Sequence, residues 1–350
     1  MVNHESASNG IHREALTPAT LLDLIEAAGS LAEGMSARVE LRSDDAPAAV
    51  RRWCEQTGNE LSATGPGWVV IRRGRRIHTA PLMAPESLIS RVWIYTNFDC
   101  NLKCDYCCVR SAPGIASREI GLARIEGIAT EAAELGVLEI LLTGGEPFLL
   151  PYIDRAVIAC VAAASTTLLT NGMLFKGRRR TLLEAMPRED FALQISLDSP
   201  EPSRHDDHRG EGSWQRAVDG IQVAQAAGFR VRVAATVGLE SRDETDEIQE
   251  ERDMHALLER IGIEGRDRII RRVARRGRAD TGVVLTTEGL IPEITYTDRG
   301  VYWHPVGADD PDMMIADGPV SLAVAVERTR LRLDAQREDE AVAASRFPCA

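Results

Sequence analysis

Residues 92–108 read VWIYTNFDCNLKCDYCC, a short apolar run, Val92–Tyr95, that opens into a loop carrying four cysteines. A run of that length, bounded by turn-forming residues, reads as a buried strand. Similar runs recur at Val137–Leu142, Thr166–Leu169, Ala192–Leu197 and Arg230–Thr236. Between them lie segments with helical periodicity: Glu119–Leu135, Ile153–Ala164, Lys176–Ala185 and Trp214–Ala227. Strands alternating with helices over this length predict an α/β fold with parallel strands, either barrel-like or an open sheet. Ligands of such sheets gather at the carboxyl ends of the strands. The conspicuous motifs fall there: the cysteines after Val92–Tyr95, Gly144-Gly145-Glu146-Pro147 after Val137–Leu142, Thr170-Asn171-Gly172 after Thr166–Leu169, and Asp198 after Ala192–Leu197.

The chain has seven cysteines, at 54, 100, 104, 107, 108, 160 and 349. An odd number spread over 350 residues is a poor disulfide framework and suits a reducing compartment. Cys100, Cys104 and Cys107 instead offer three thiolates on one tight loop. A four-iron cluster normally takes four cysteines, so three would leave one iron open to a substrate or cofactor. Structural zinc would want paired CxxC units supplying four ligands, and no second pair exists in the chain. Zinc and a coincidental patch remain as alternatives. Cys108 reaches the same cluster only with difficulty, being adjacent to Cys107.

With its CxxxCxxC loop, the aromatic Tyr106 before the last cysteine, GGEP at 144–147, TNG at 170–172 and a fourth strand ending Ser196-Leu197-Asp198, the stretch from about residue 90 to 240 resembles the radical S-adenosylmethionine (radical SAM) superfamily. It is closest to the branch that includes molybdenum-cofactor, sulfatase-maturing and peptide-modifying enzymes. The resemblance implies a partial (β/α)6 TIM-like barrel. It also implies a [4Fe–4S] cluster on Cys100, Cys104 and Cys107, whose open iron chelates S-adenosyl-L-methionine (SAM). Tyr106 would lie near the adenine, and Gly144 and Gly145 would let the backbone approach the methionine end, a use of glycine that follows from its missing Cβ. Glu146 would accept the SAM ammonium, and Pro147 would fix the turn. Ser196 sits where the family has a ribose or carboxylate contact. Arg209, in His205-Asp206-x2-Arg209-Gly210, matches the arginine that pairs with the SAM carboxylate, a role suited to a planar bidentate donor. Asp198 is a weaker candidate, because Ser199 replaces the usual following glycine. A strand-end cap for Ser196 and a surface ion pair for Arg209 are the plain alternatives.

The implied reaction is reductive cleavage of SAM to methionine and a 5′-deoxyadenosyl radical, which abstracts hydrogen from a peptide or a small biosynthetic intermediate. An electron donor such as flavodoxin or ferredoxin would be its partner. The alternative function is a non-catalytic iron–sulfur or sulfur-relay partner protein.

The flanks read differently. Residues 1–15 are a polar leader, and 16–78 a small α+β domain: a helix at Thr20–Ala32, a strand at Ala37–Leu41, a helix at Pro47–Gln56, and a hairpin pairing Glu60–Ala63 with Trp68–Ile71. Its strand, its helix carrying Trp53, and Thr57-Gly58-Asn59-Glu60 resemble the TusA-like sulfur carriers, but Ala15-Leu16-Thr17-Pro18 stands where that family has its cysteine-bearing CPxP. Docking or dimerisation is then the implied use, and Cys54 reads as a packed core residue. A linker around His78–Glu86 leads to the barrel, expected over 88–280. Residues 281–350 read as a hairpin and helix extension, with a helix at Val320–Glu338 and with His304 where relatives place an auxiliary-cluster cysteine. The acidic stretch Glu240–Asp253 and the basic stretch Arg266–Arg278 read as solvated helix faces, with a clamp on an anionic substrate as the sharper alternative.

Asp and Glu number 53 against 41 Lys and Arg, a net charge of −12, which argues against nonspecific nucleic-acid binding as a main function. No run approaches the ~20 apolar residues that span a bilayer, and residues 1–18 lack the apolar core of a secretory signal. A cytoplasmic protein without membrane or nucleic-acid partners is the resulting expectation.

Overall fold

The computed structural model describes residues 34–42, 47–57, 59–73, 90–238, 244–287 and 290–338, with scattered positions between 20 and 31. The leader, the linker around His78–Glu86, Ala15–Pro18, most of the Thr20–Ala32 helix and Cys349 lie outside the described residues. The chain divides into two compact units, Met1–Ser87 and Leu88–Ala350.

In the first unit β1 (Ser36–Glu40), β2 (Glu60–Gly65) and β3 (Trp68–Arg72) form an antiparallel sheet in the order β1-β3-β2. Val69 and Ile71 alternate inward along β3, as one buried sheet face requires. They meet Val50 and Cys54 from the helix Pro47–Thr57, and Cys54 is 1% exposed within that core.

The second unit is built on one nine-stranded sheet. Six parallel strands run in chain order: β4 (Arg91–Tyr95), β5 (Glu139–Thr143), β6 (Ser165–Thr170), β7 (Phe191–Ser196), β8 (Arg230–Val237) and β9 (Arg268–Arg272). The helices Leu122–Glu134, Ile153–Val161, Arg178–Ala185, Ser213–Ala226 and Glu244–Arg260 lie between them in the chain. Ile125, Ile128, Ala129 and Ala132 recur on one stripe of the first of these helices and are buried with Val92, Ile94, Ile140 and Leu142 of the sheet. This is the expected α/β architecture. The helix Pro202–Arg209 is an addition that periodicity could not show, because His205 is its one buried residue.

The basic stretch is not a helix. It supplies the edge strand β9, paired parallel with β8, and then a loop. Within β9 only Ile269 and Ile270 interrupt the arginines, and charged side chains are tolerated on an edge strand, where they also block further pairing.

At the other edge the chain returns. β10 (Thr295–Tyr296) pairs parallel with β4, and β11 (Gly300–Tyr302) and β12 (Met314–Asp317) follow antiparallel. The sheet order is thus β12-β11-β10-β4-β5-β6-β7-β8-β9. The return is anchored at the strand starts. Arg91 donates to Glu139 at 2.9 Å and to Glu293 at 3.3 Å, the Trp93 indole donates to Glu293 at 2.5 Å, and Arg232 donates to Thr167 at 3.2 Å. The helix Leu322–Glu338 completes the described chain.

Candidate functional site

The strand ends face the loops that carry the motifs. After β4 the chain turns through Asn97–Asp99 into the cysteine loop, and the Gly144–Pro147 loop after β5 lies directly on it. The Gly145 amide donates to the Asn97 carbonyl at 2.9 Å and the Glu146 amide to the Asp99 carbonyl at 2.8 Å. Asn97 returns two bonds from its amide nitrogen, to the carbonyls of Asp99 and Glu146. The contact tolerates no side chain. A Cβ on Gly145 would sit 2.0 Å from the Asp99 carbonyl oxygen, and one on Gly144, at φ +152°, would sit 2.5 Å from the Asn97 oxygen. The close approach these glycines permit is therefore to the base of the cysteine loop.

Glu146 is fully buried beneath it. One carboxylate oxygen accepts from the Phe148 amide at 3.0 Å and the Thr170 hydroxyl at 2.8 Å, the other from the Asn171 amide at 2.8 Å. Burial pushes its pKa up, and these three donors oppose the shift. Glu146 thereby ties the end of β5 to the end of β6. Pro147 opens the single 3₁₀ turn Pro147–Leu149 that follows, where its missing N–H costs nothing. Asn171 also donates to Asn101 inside the cysteine loop at 2.8 Å.

Cys100, Cys104 and Cys107 are free thiols, all partly exposed. The Leu102 amide points at the Cys100 sulfur at 3.4 Å and the Ser111 amide at the Cys107 sulfur at 3.3 Å. Burial pushes Cys100 up to about 12, with Glu146, Cys104 and Cys107 near enough to add to the shift. Burial likewise raises Cys104 to about 11, and there Arg209 opposes it. Among the described residues no three His, Cys, Asp or Glu side chains converge as they would on a single metal ion. One zinc ion would draw its ligands to about 2.3 Å from one point, whereas a four-iron cluster takes each cysteine on a separate iron. The soft donors, their spread on one loop and the amides aimed at two sulfurs fit a cluster better than one ion.

The third part of the site lies beyond β7. Asp198, 2% exposed, receives the Arg209 guanidinium through Nε and Nη2 (2.5 and 3.3 Å), the Thr236 amide at 3.0 Å and the Tyr106 hydroxyl. Burial alone would raise its pKa, but Arg209 foremost holds it down to about 2. The Arg209 guanidinium also lies 5.4 Å from the centre of the Tyr106 ring. His205, pushed down to about 4 mainly by burial, accepts from the Asp198 amide at 3.2 Å and is the neutral partner here. Ser196 ends β7, half-buried and in register with Ala234. Tyr106, Asp198 and Arg209 thus form one cluster beside Cys104, and no hydrogen bond joins Ser196 to it. Asp198, ranked below Ser196 and Arg209 by motif, is the hub. The signals for it in the sequence are its place at a strand end and in Ser196-Leu197-Asp198, while the partner that matters lies eleven residues on.

Residues 94–254, under half of the chain, match the model of the Radical SAM superfamily. This stretch is a radical SAM domain. The family implies a [4Fe–4S] cluster and SAM. A GTP 3′,8-cyclase of Microcystis aeruginosa is 38% identical over 140 residues, which are 37% of this chain and 42% of that protein. An AdoMet-dependent heme synthase of Methanosarcina barkeri is 29% identical over 147 residues, 41% of this chain and 42% of that protein. The chain therefore spans less than half the length of these curated relatives. Among solved structures, anSMEcpe with bound AdoMet superposes with a TM-score of 0.52 at 11% identity, covering 69% of this chain and 82% of that one, a likeness of fold.

Proposed function

We propose that this chain is a radical SAM enzyme that reductively cleaves SAM at a [4Fe–4S] cluster held by Cys100, Cys104 and Cys107, and takes hydrogen from a peptide or small biosynthetic intermediate. The observation that carries the reading is the cysteine loop seated on the Gly144–Pro147 loop with its three thiols unpaired. When bound, the two groups supply one-electron cleavage of a C–S bond, yielding methionine and a 5′-deoxyadenosyl radical. The chain's own residues bind and orient. A carboxylate has about four acceptor positions; Glu146 fills three, leaving one for the SAM ammonium. Arg209 uses two of its three nitrogens on Asp198, and the third suits a carboxylate. Gly144, Gly145 and Pro147 shape the loop, and Tyr106 and Ser196 would flank the nucleoside.

The electron would come from a small carrier such as flavodoxin or ferredoxin. Of the two substrate classes, a small intermediate is favoured by relatives named for acting on GTP. No helix among the described residues is long and apolar enough to cross a membrane. The first unit would serve docking or dimerisation in the manner of a TusA-like fold without its thiol, since Cys54 is sealed in the core.

Anaerobic reconstitution of the full chain with iron and sulfide, followed by dithionite and SAM, tests this. The expected product is 5′-deoxyadenosine, falling to background in Cys104→Ser. An intact cluster that leaves SAM uncleaved would indicate the relay protein instead, and a colourless chain without acid-labile sulfide would indicate zinc.

A further inference from the structure

Outside the described site, the loop after β9 reaches back to the cysteines. Gly277 packs on the loop at φ +65°, and a Cβ there would lie 2.2 Å from the Cys107 carbonyl oxygen and 2.4 Å from that of Cys108. The next residue makes three bonds to the same loop. The Arg278 amide donates to the Cys107 carbonyl at 3.0 Å, Nη1 to the Ser111 carbonyl at 2.6 Å, and Nη2 to the Arg110 carbonyl at 2.8 Å. The segment itself is pinned from the far edge of the sheet, because Arg276 pairs with Asp310 at 2.6 Å and Asp312 at 3.3 Å.

The third of those bonds is decisive. The Arg110 carbonyl and the Ser111 N–H are the two ends of one planar peptide unit, pointing in opposite directions. The carbonyl end is held by Arg278, and the N–H end points at the Cys107 sulfur at 3.3 Å. Arg110 holds this orientation from the left-handed region, at φ +56°, an uncommon conformation for a residue with a Cβ. A guanidinium on the carbonyl both fixes that unit and polarises it, strengthening the hydrogen bond at its other end.

We propose that Arg278 is a positioning residue for the cluster: acting through the Arg110–Ser111 peptide, it directs a hydrogen bond onto the Cys107 thiolate and so raises the reduction potential. Hydrogen bonds to cluster sulfurs and nearby charge are established levers on that potential. The inference rests on the cluster reading above.

The test compares wild type, Arg278→Met and Arg278→Lys as full chains reconstituted with iron and sulfide. Each is checked for cooperative thermal unfolding and four-iron stoichiometry, then titrated to its midpoint by EPR-monitored reduction. Arg278→Met is expected to lower the reduced-to-oxidised ratio at a fixed potential about tenfold, a shift of about 59 mV for one electron. It is also expected to lose iron faster to bathophenanthroline. Lysine restores the charge but not the rigid planar fork whose two arms reach the Ser111 and Arg110 carbonyls, so Arg278→Lys should resemble methionine. An unchanged midpoint in Arg278→Met overturns the proposal, as does full recovery in Arg278→Lys, which would leave only a through-space effect of charge. Wild type that takes up no four-iron cluster overturns the cysteine reading itself, an outcome visible before any variant is compared.

Discussion

At the start of the strands Arg91, Glu139, Arg232 and Glu293 meet as cations and carboxylates around Trp93 and Thr167. At the strand ends, three thiols share one loop with the carboxylates of Glu146 and Asp198 close by, and Arg209 is the cation that answers Asp198. At the first end each of these charges already has an opposite charge beside it in the folded chain. The second keeps Cys100 and Cys104 protonated by burial, and only a group that brings positive charge makes their thiolates favourable. One sheet therefore has a structural end and a receptive end, and substitutions should separate them.

The largest stability effect is expected at Asp198. Asp198→Asn leaves the buried Arg209 without its carboxylate, a loss of about 3–5 kcal/mol, measurable as a lower urea midpoint. The pair also sets an acid limit. The folded pKa of about 2 lies below the ordinary value of 3.8, so its stabilisation is complete above about pH 4 and is lost as pH falls toward 2. The size is about 2 kcal/mol, and an acid titration of stability that is flat between pH 4 and 2 in wild type would contradict it. Next is Gly145→Ala, whose Cβ overlaps the Asp99 carbonyl. The cost should be about 1–3 kcal/mol, and iron retained after gel filtration should fall because the cysteine loop is displaced. The smallest is Glu139→Gln at the structural end, about 1–2 kcal/mol through the weakened bonds to Arg91 and Arg232. Iron content and 5′-deoxyadenosine formation should be unaltered there. Iron loss in Glu139→Gln as large as in Gly145→Ala would erase the distinction between the two ends.

Much of this was legible in the chain. The strands β4, β5 and β7 are mostly apolar runs buried on both faces, so Val92–Tyr95 and Ala192–Leu197 announce themselves without any tertiary knowledge. β9 does not, since three of its five residues are arginines and its pairing with β8 alone makes it a strand. The helix Pro202–Arg209 is hidden for a similar reason: its stability comes from Asp206 accepting from the Gly212 and Trp214 amides after it, with little apolar burial. In the site, local spacing exposes the cysteines and the glycine pair. The Asp198–Arg209–Tyr106 cluster unites the cysteine loop, the end of β7 and the last residue of the helix Pro202–Arg209, and the Gly277–Arg278 contact joins positions about 170 apart, so neither leaves a periodic trace.

The placement of β10 against β4 bears on the order in which the molecule is made. A ribosome emits β4 and the cysteines roughly two hundred residues before the strand that covers their outer edge. Throughout that interval the nascent sheet offers bare backbone donors and acceptors on one flank, the kind of border that recruits unwanted strands. The clasp on Arg110 and Ser111 arrives late as well, so metal delivered during synthesis would meet a loop still lacking its last brace.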